Sequence, residues 1–294
     1  MIKKIAGTAI TRVLNAVLML AVLSVATKNL GDSNYGDVSL IMLAITIIGL
    51  VNHFVGGGGL IYYVPRKPLF LLVVPAYFWA FLSAAAGSTL LSIFGKIPEG
   101  FTYHVLFLAL FQSLASINQN VMLGKERVGQ FNAVSLVQFG LLFTTLVYLV
   151  HFHGESDVLA YVKALYAAYM AAFLLSMILV YRDVKMTDLQ DAGDAVTKMM
   201  GYGWRAQLGN VLQFFNYRLN YYILEAFFNK AMLGVFSAGT QLSEGMWIVG
   251  KSVSMVQFSK TVNTTDKEYV RMLAVNLVKL TFVLTAIILL VVIL

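Results

Sequence analysis

The 294-residue sequence contains no cysteine, which excludes disulfides, a thiolate metal site and a cysteine nucleophile and leaves the redox compartment unread. Charge is also scarce. Only 12% of residues are Asp, Glu, Lys or Arg, against about a quarter in a soluble domain. Together with 59% hydrophobic residues and a mean hydropathy of +0.79, this scarcity excludes an ordinary soluble domain and points to a polytopic membrane protein. Acidic residues number 14 against 21 basic ones, a net charge of +7. Such an excess can serve nucleic acid, but basic residues gathered on one side of a membrane have a simpler origin in topology, and nucleic acid is set aside. The four histidines, His53, His104, His151 and His153, lack the helical spacing of metal ligands, so no metal site is expected.

What the sequence does contain is a series of long apolar runs. The opening MIKKIAGTAITRVLNAVLMLAVLSVATK has the basic start and apolar run of a signal peptide. Further runs of the same kind follow it, so it reads as a first transmembrane helix that is retained. A spanning helix needs about 20 apolar residues to cross a core of about 30 Å. On that criterion spans are expected near Ile5 to Thr27, Val38 to Val64, Leu69 to Gly95, Val105 to Leu123, Gln130 to Val150, Ala160 to Tyr181, Arg205 to Asn229, Ala231 to Lys251 and Met272 to Leu294. The expected fold is therefore an all-α polytopic membrane protein of about nine transmembrane helices. One long polar interval, Tyr181 to Tyr202, divides them. It reads as an amphipathic surface helix interrupted at Gly193, so the chain falls into residues 1–181 with six helices, a linker at 182–203, and 204–294 with three.

Orientation follows from the basic residues. With the N-terminus in the cytoplasm, Lys3, Lys4, Arg66, Lys67, Lys125, Arg127, Arg182, Lys185, Lys198, Arg205, Lys260, Lys267 and Arg271 lie inside, and Lys28, Lys96, Lys163 and Lys230 lie outside. The segment Lys28 to Asp37 is then a short outer turn, with Gly31 and Gly36 permitting reversal, and Gly56 to Gly59 followed by Pro65 loosens the inner end of the second span.

Charges within spans cost about 2.5 to 3.5 kcal/mol on insertion scales and face a wet cavity or a partner. Arg12 is drawn inward because the run from Val13 to Ala26 is too short to cross alone; it shares a face with Thr8, Asn15 and Met19, and either lines a cavity or snorkels. Gln112, Ser116, Gln119, Asn120, Asn132 and Gln138 in spans four and five serve interhelical bonding or a polar lining. The seventh span is the most informative. At 100° per residue, Gln207, Asn210, Gln213, Tyr217, Arg218, Asn220, Tyr221 and Glu225 fall on one half, and Leu208, Val211, Leu212, Phe215, Leu219, Ile223 and Ala226 on the other. Arg218 either meets a polar ligand from mid-span or pairs with Glu225. In the eighth span Ser237, Thr240, Gln241, Glu244 and Lys251 repeat the pattern, and a Glu at that depth is either paired or protonated, which suits a proton-responsive site.

At these residues the chain resembles the polysaccharide flippase family of the multidrug/oligosaccharidyl-lipid/polysaccharide exporter superfamily. Leu30-Gly-Asp-Ser-Asn-Tyr-Gly36 is similar to the family's turn after the first helix, and Gly59-Leu60 before Arg66 to the ending of its second. Leu123-Gly-Lys-Glu-Arg127 is similar to the turn after its fourth, and Arg218-Leu-Asn-Tyr-Tyr-Ile-Leu224 with Leu233-Gly-Val-Phe-Ser-Ala238 to its seventh and eighth helices. Gly36-x-x-Ser39 and Gly234-x-x-Ser237 stand in corresponding places, the trace of a repeat. Asn220 departs from the pattern, standing where relatives often carry Asp.

The resemblance implies two six-helix lobes around a cavity that opens to alternate sides. This chain would then be a complete first lobe, a linker and the first three helices of a second, as in a C-terminally truncated member. It implies a bacterial inner-membrane transporter, not an enzyme, that flips a polyprenyl-diphosphate-linked oligosaccharide during surface polysaccharide biosynthesis. Candidate substrate-binding residues are Arg12, Asn15, Gln207, Asn210, Gln213, Tyr217, Arg218 and Asn220, and candidate ion-coupling residues are Glu225 and Glu244. No cofactor is expected beyond a coupling proton or sodium ion. Membrane lipids and polysaccharide assembly proteins are the expected partners. The alternatives are a cation-coupled multidrug exporter of the same fold and a nontransporting membrane subunit.

Overall fold

The computed structural model describes residues 2–182, 192–244, 248–264 and 266–293, without the side chains of Arg12, Glu244, Lys251 and some others. The described residues form ten helices and no strand: α1 (Ile2–Gly56), α2 (Gly58–Tyr63), α3 (Leu69–Ile93), α4 (Thr102–Gly124), α5 (Val128–Phe152), α6 (Val158–Tyr181), α7 (Ala192–Phe227), α8 (Lys230–Glu244), α9 (Ile248–Val262) and α10 (Lys267–Ile293). Five helical stretches are long and apolar enough to cross a membrane, namely Val13–Tyr63 and helices α3 to α6. The outward faces of these helices agree with that reading. Phe78, Phe81, Leu90, Phe107, Leu174 and Ile178 are exposed, a distribution that suits lipid and that a water-soluble surface avoids in contiguous patches.

The stretch Val13–Tyr63 is 51 residues long, which as one straight helix would reach about 75 Å, more than twice the bilayer core. Its hydrogen bonds show that it doubles back. Asn15 Nδ2 donates to Ser135 Oγ near the start of α5 (2.8 Å), whereas Asn34 Nδ2 reaches the Ser156 carbonyl beyond the end of α5 (3.3 Å). Farther on, Asn120 Nδ2 donates to the Gly56 carbonyl (2.7 Å), back at the turn between α4 and α5. The reversal is made at Gly31, whose φ of 77° and ψ of 162° leave the helical region at a cost only glycine escapes. The outer turn expected over Lys28 to Asp37 is thus concentrated at one residue, and Gly36 is helical. At the inner end the glycine run does break the helix, at Gly57.

Two apolar cores stack within the bundle formed by α1 to α6. One gathers Ile41, Ala44 and Ile48 with Leu108, Leu146 and Leu165 towards the Gly31 turn; the other gathers Val55 and Leu60 with Leu72, Ile117 and Val134 towards the α4–α5 turn. Between them four of the helices carry polar residues: Asn52 and His53 in α1, Ser83 in α3, Gln112 and Ser113 in α4, Ser135 and Gln138 in α5. A polar layer therefore cuts the bundle at mid-depth.

Helix α7 is described from Ala192 and continues unbroken to Phe227, so the second half of the linker is continuous with the helix expected as the seventh span, and the expected interruption at Gly193 falls at the edge of the described residues. The first half, residues 183–191, lies outside the described residues. Asp194 in the first turn of α7 bonds to Lys198 (2.7 Å) and pairs with Lys67 (3.5 Å), and the Lys198 hydrogen bond holds its carboxyl below the usual range. The stretch expected as the eighth span, Ala231 to Lys251, holds α8 and the beginning of α9, on either side of residues 245–247, and α9 runs on to Val262.

Helices α7, α8 and α9 pack on the first bundle at both of its ends. At the Gly31 end, a Cβ on Gly36 would lie 2.2 Å from the Lys230 carbonyl oxygen, and one on Gly234 would lie 2.3 Å from that of Asp32. The two glycines thus occupy equivalent places in a self-complementary crossing of α1 and α8. Ser39 and Ser237 share a hydrogen bond of 2.7 Å, Lys230 pairs with Asp37 at 2.6 Å, and Gln241 Nε2 donates to the Tyr35 hydroxyl at 2.8 Å. At the opposite end, Gly203 packs on the Phe54 backbone and Gly59 on that of Met199, beside stacked pairs Phe54–Trp204 and Tyr62–Tyr202. Ser259 and Asn263 donate to the Leu123 and Gly124 carbonyls, which as the last of α4 have no partner inside their own helix.

Candidate functional site

The mid-depth polar layer borders a partly open cavity of about 410 Å³ between the first bundle and the helices that pack on its ends, with apolar residues such as Val38, Met42, Leu43 and Phe139 also in its lining. This lies at the lower end of the range of about 300 to 1,000 Å³ typical of small-molecule sites. One wall is neutral and belongs to the bundle, with Asn52 and His53 from α1, Gln112 and Ser116 from α4, and Gln138 from α5. The opposite wall comes from α7 and α8, where Arg218, Tyr221 and Gln241 enter.

Why α7 turns this edge inward follows from its amphipathic pattern. Leu208, Leu212, Phe215, Leu219 and Ile223 are exposed along its outer side, as the periodicity predicts for a lipid-facing stripe. Tyr221 is buried with Leu40, Leu43 and Leu233, and this anchors the opposite side against α1 and α8. Arg218, one turn earlier, donates from Nη1 to the Tyr221 hydroxyl at 2.6 Å, and its guanidinium carbon lies 5.1 Å from the Tyr221 ring centre. A cation near an aromatic face gains about 0.5 to 2 kcal/mol, rising with desolvation, which offsets part of the cost of holding the half-buried Arg218 charge at this depth.

The remaining sequence candidates are distributed differently from the single arc expected for them. Gln207 is buried, but its Nε2 donates to the Leu50 carbonyl at 3.1 Å and its Oε1 accepts from Asn210; it ties α7 to α1. Asn210, Gln213 and Asn220 are exposed, while Tyr217 and Glu225 are half-buried. None of these six lines the cavity. Gln207 is spent on the Leu50 carbonyl of α1 and Tyr221 packs among Leu40, Leu43 and Leu233, so of the described α7 residues Arg218 and Tyr221 are the ones that reach the cavity. Asn15 is buried in its bond to Ser135 and likewise stays out of the cavity. The side chains of Arg12 and Glu244 lie outside the described residues.

The cavity also brings in residues that the sequence did not single out as a site. Tyr35 lay in an expected outer turn, and Asn52 and His53 are two polar residues inside an apolar run. That adjacent pair was the available signal, but interhelical bonding explains most such residues in a membrane helix. For His53 it is part of the answer, since Nε2 lies 3.0 Å from Ser116 Oγ. Asn52 behaves otherwise. It is fully buried, and neither Nδ2 nor Oδ1 has a hydrogen-bond partner among the described residues, which costs about 1 to 3 kcal/mol for each group left unpaired.

The arrangement offers one cation, several amides and hydroxyls, and no carboxylate on the cavity wall among the described residues. It can hold an anion with hydroxyl or amide groups beside it. No known protein family, no characterised protein and no solved structure matches this chain.

Proposed function

We propose that the chain is a transporter that flips a polyprenyl-diphosphate-linked oligosaccharide across a bacterial inner membrane by alternating access, in the assembly of surface polysaccharide. The observation that carries this reading is the entry of Arg218 into a cavity of mixed apolar and polar lining that lies between helix crossings at both ends. The cation receives the diphosphate, because charge-assisted bonds strengthen away from bulk water. The cavity has room for the diphosphate and the sugar next to it, so the rest of the glycan passes only when α7 to α9 swing away from the first bundle. In this reading α1 makes two crossings and α3 to α6 make four. Helix α7 with 36 residues and α10 with 27 make one each, and α8 and α9, with 15 each, make one together, giving nine.

The test is a flipping assay in proteoliposomes carrying a fluorescent lipid-linked oligosaccharide, read by quenching from outside. The protein should move label from the inner leaflet within minutes. Protein-dependent export of dye cations, with no movement of the lipid-linked sugar, would replace this reading with a multidrug exporter. Orientation is checked separately with an impermeant maleimide, for which the natural sequence supplies no thiol. In intact cells Ser33→Cys, at the exposed Gly31 turn, should react, and Asp194→Cys, at the exposed start of α7, should react only after permeabilisation. The opposite pattern would invert the topology.

A further inference from the structure

We infer that His53 is the second cation of the anion site and the group through which that site binds a proton: a diphosphate is received by Arg218 from α7 and by a protonated His53 from α1. The inference rests on the flippase reading and specifies how the same cavity is coupled to pH.

It begins from the position of the ring. His53 is half-buried and lines the cavity that Arg218 enters from the other wall. Its Nε2 lies 3.0 Å from Ser116 Oγ, a hydroxyl that can donate to a neutral ring nitrogen or accept from a protonated one. Gain of a proton therefore leaves this contact intact. The other nitrogen, Nδ1, makes no hydrogen bond among the described residues, yet it is not among the atoms buried without a partner. It keeps accessible surface, unlike the sealed amide of Asn52 one residue earlier. As the N–H of an imidazolium it is a donor for a bound oxyanion.

The surroundings leave the proton to His53. Histidine is the side chain that ordinarily changes charge near neutral pH. The cavity also receives Arg218, always charged, and Tyr221 from α7, Tyr35 from α1, and Tyr161 and Tyr169 from α6; tyrosine in water stays neutral up to about pH 10. Among the described residues α3, α4, α5, α8 and α9 add no titratable group to the lining. Beyond it, Tyr77 on α3 is bonded to Asn118 (2.6 Å), Lys260 on α9 is paired with Glu126 (2.5 Å), and Arg205 on α7 adjoins the Trp204 that stacks on Phe54. Glu225, the sequence's candidate for ion coupling, does not reach the cavity. No carboxylate among the described residues lines it to hold an imidazolium in place, so the counter-charge comes with the ligand. Binding and protonation are then linked. A proton passes from water to His53 as the anion enters, no covalent bond of the ligand changes, and an anion held by both residues ties α7 to α1.

The experiment is a binding titration on the purified full chain in lipid nanodiscs at about pH 5.5 and about pH 8.5, on either side of the histidine range. The probes are citronellyl-diphospho-N-acetylhexosamine and inorganic sulfate. The first has only esterified phosphates, which lack the second ionisation that a terminal phosphate shows near about pH 6, and sulfate stays a dianion throughout, so a pH effect belongs to the protein. Wild type should bind both about tenfold more tightly at the lower pH, the worth of one hydrogen bond to a charged group, because the His53 proton is present below its pKa and lost above it. Calorimetry in buffers of different ionisation heat should show proton uptake with each anion bound. His53→Gln, whose amide can still bond to Ser116, should bind at both pH values as wild type does at the higher one, with no proton uptake; His53→Asn replaces it if the Gln variant does not fold. Glu225→Gln and Glu244→Gln should keep the pH dependence. Binding by wild type that ignores pH, an unchanged pH dependence in the His53 variant, or its loss in a folded Glu variant would overturn the inference and leave the flippase reading standing. Sulfate binding with a pH effect that needs His53, without binding of the sugar diphosphate, overturns the flippase reading alone. Binding of neither anion overturns both.

Discussion

Arg218→Gln should reduce flipping of a lipid-linked oligosaccharide by about 100-fold or more while leaving expression and folding near normal. The magnitude follows from the bonds removed. Hydrogen bonds to a charged group contribute about 1.5 to 3 kcal/mol each, so losing two to a diphosphate costs about 3 to 6 kcal/mol. Stability should suffer little, because the neutral amide no longer carries a charge into the bundle. Arg218→Lys should retain part of the activity, since the charge survives and the planar fork does not. A structural ion pair with Glu225 makes the opposite forecast. There Arg218→Gln would impair folding, and Arg218→Gln with Glu225→Gln would restore both folding and transport, because no unpaired ion remains. Recovery of transport in the double variant would therefore remove Arg218 from the substrate site.

The second large effect is expected where α1 crosses α8. With Ser39 and Ser237 oxygens 2.7 Å apart in a chain that has no natural cysteine, Ser39→Cys with Ser237→Cys should form a disulfide almost completely under mild oxidation. Transport should then stop and return on reduction, since alternating access requires this crossing to part. Gly36→Leu should lower the crosslinking yield several-fold. Even its Cβ would sit 2.2 Å from the Lys230 carbonyl, a separation backbone atoms cannot hold, so the helices must move apart by about 1 Å to reach ordinary contact distance. The equivalent placement of Gly234 against Asp32 predicts the same loss for Gly234→Leu. Full transport by the oxidised double-cysteine protein would mean that this crossing stays shut throughout the cycle.

These sites differ in how far they could be read in advance. The lipid-facing stripe of α7 was legible because Leu208, Leu212, Phe215, Leu219 and Ile223 recur with the helical period, and lipid rewards only apolarity. The polar half was legible as polar but not as a site. Its residues can be spent on ligand, on a neighbouring helix or on an open face, and periodicity treats the three alike. Gln207 went to the Leu50 carbonyl, Asn220 to an exposed face, and Arg218 to the cavity. Gly36-x-x-Ser39 and Gly234-x-x-Ser237 were legible as a repeat, yet nothing along the chain tells that the two copies meet face to face.

By itself the sequence determined that this is an all-helical chain with several helices able to cross a membrane, and where most of those helices begin and end. The reason is that apolar run length, helical period and the placement of glycine are local properties. Only the tertiary structure decided that the first long helix doubles back at Gly31, that a polar layer separates two apolar cores, and that the Asn52 amide is buried without a hydrogen-bond partner among the described residues. Each of these depends on what stands opposite a residue across a helix contact. Asn118 and Asn52 look alike in the sequence and are buried alike; one has Tyr77 and Ser176 within reach and the other packs beside Gly56 with no partner among the described residues.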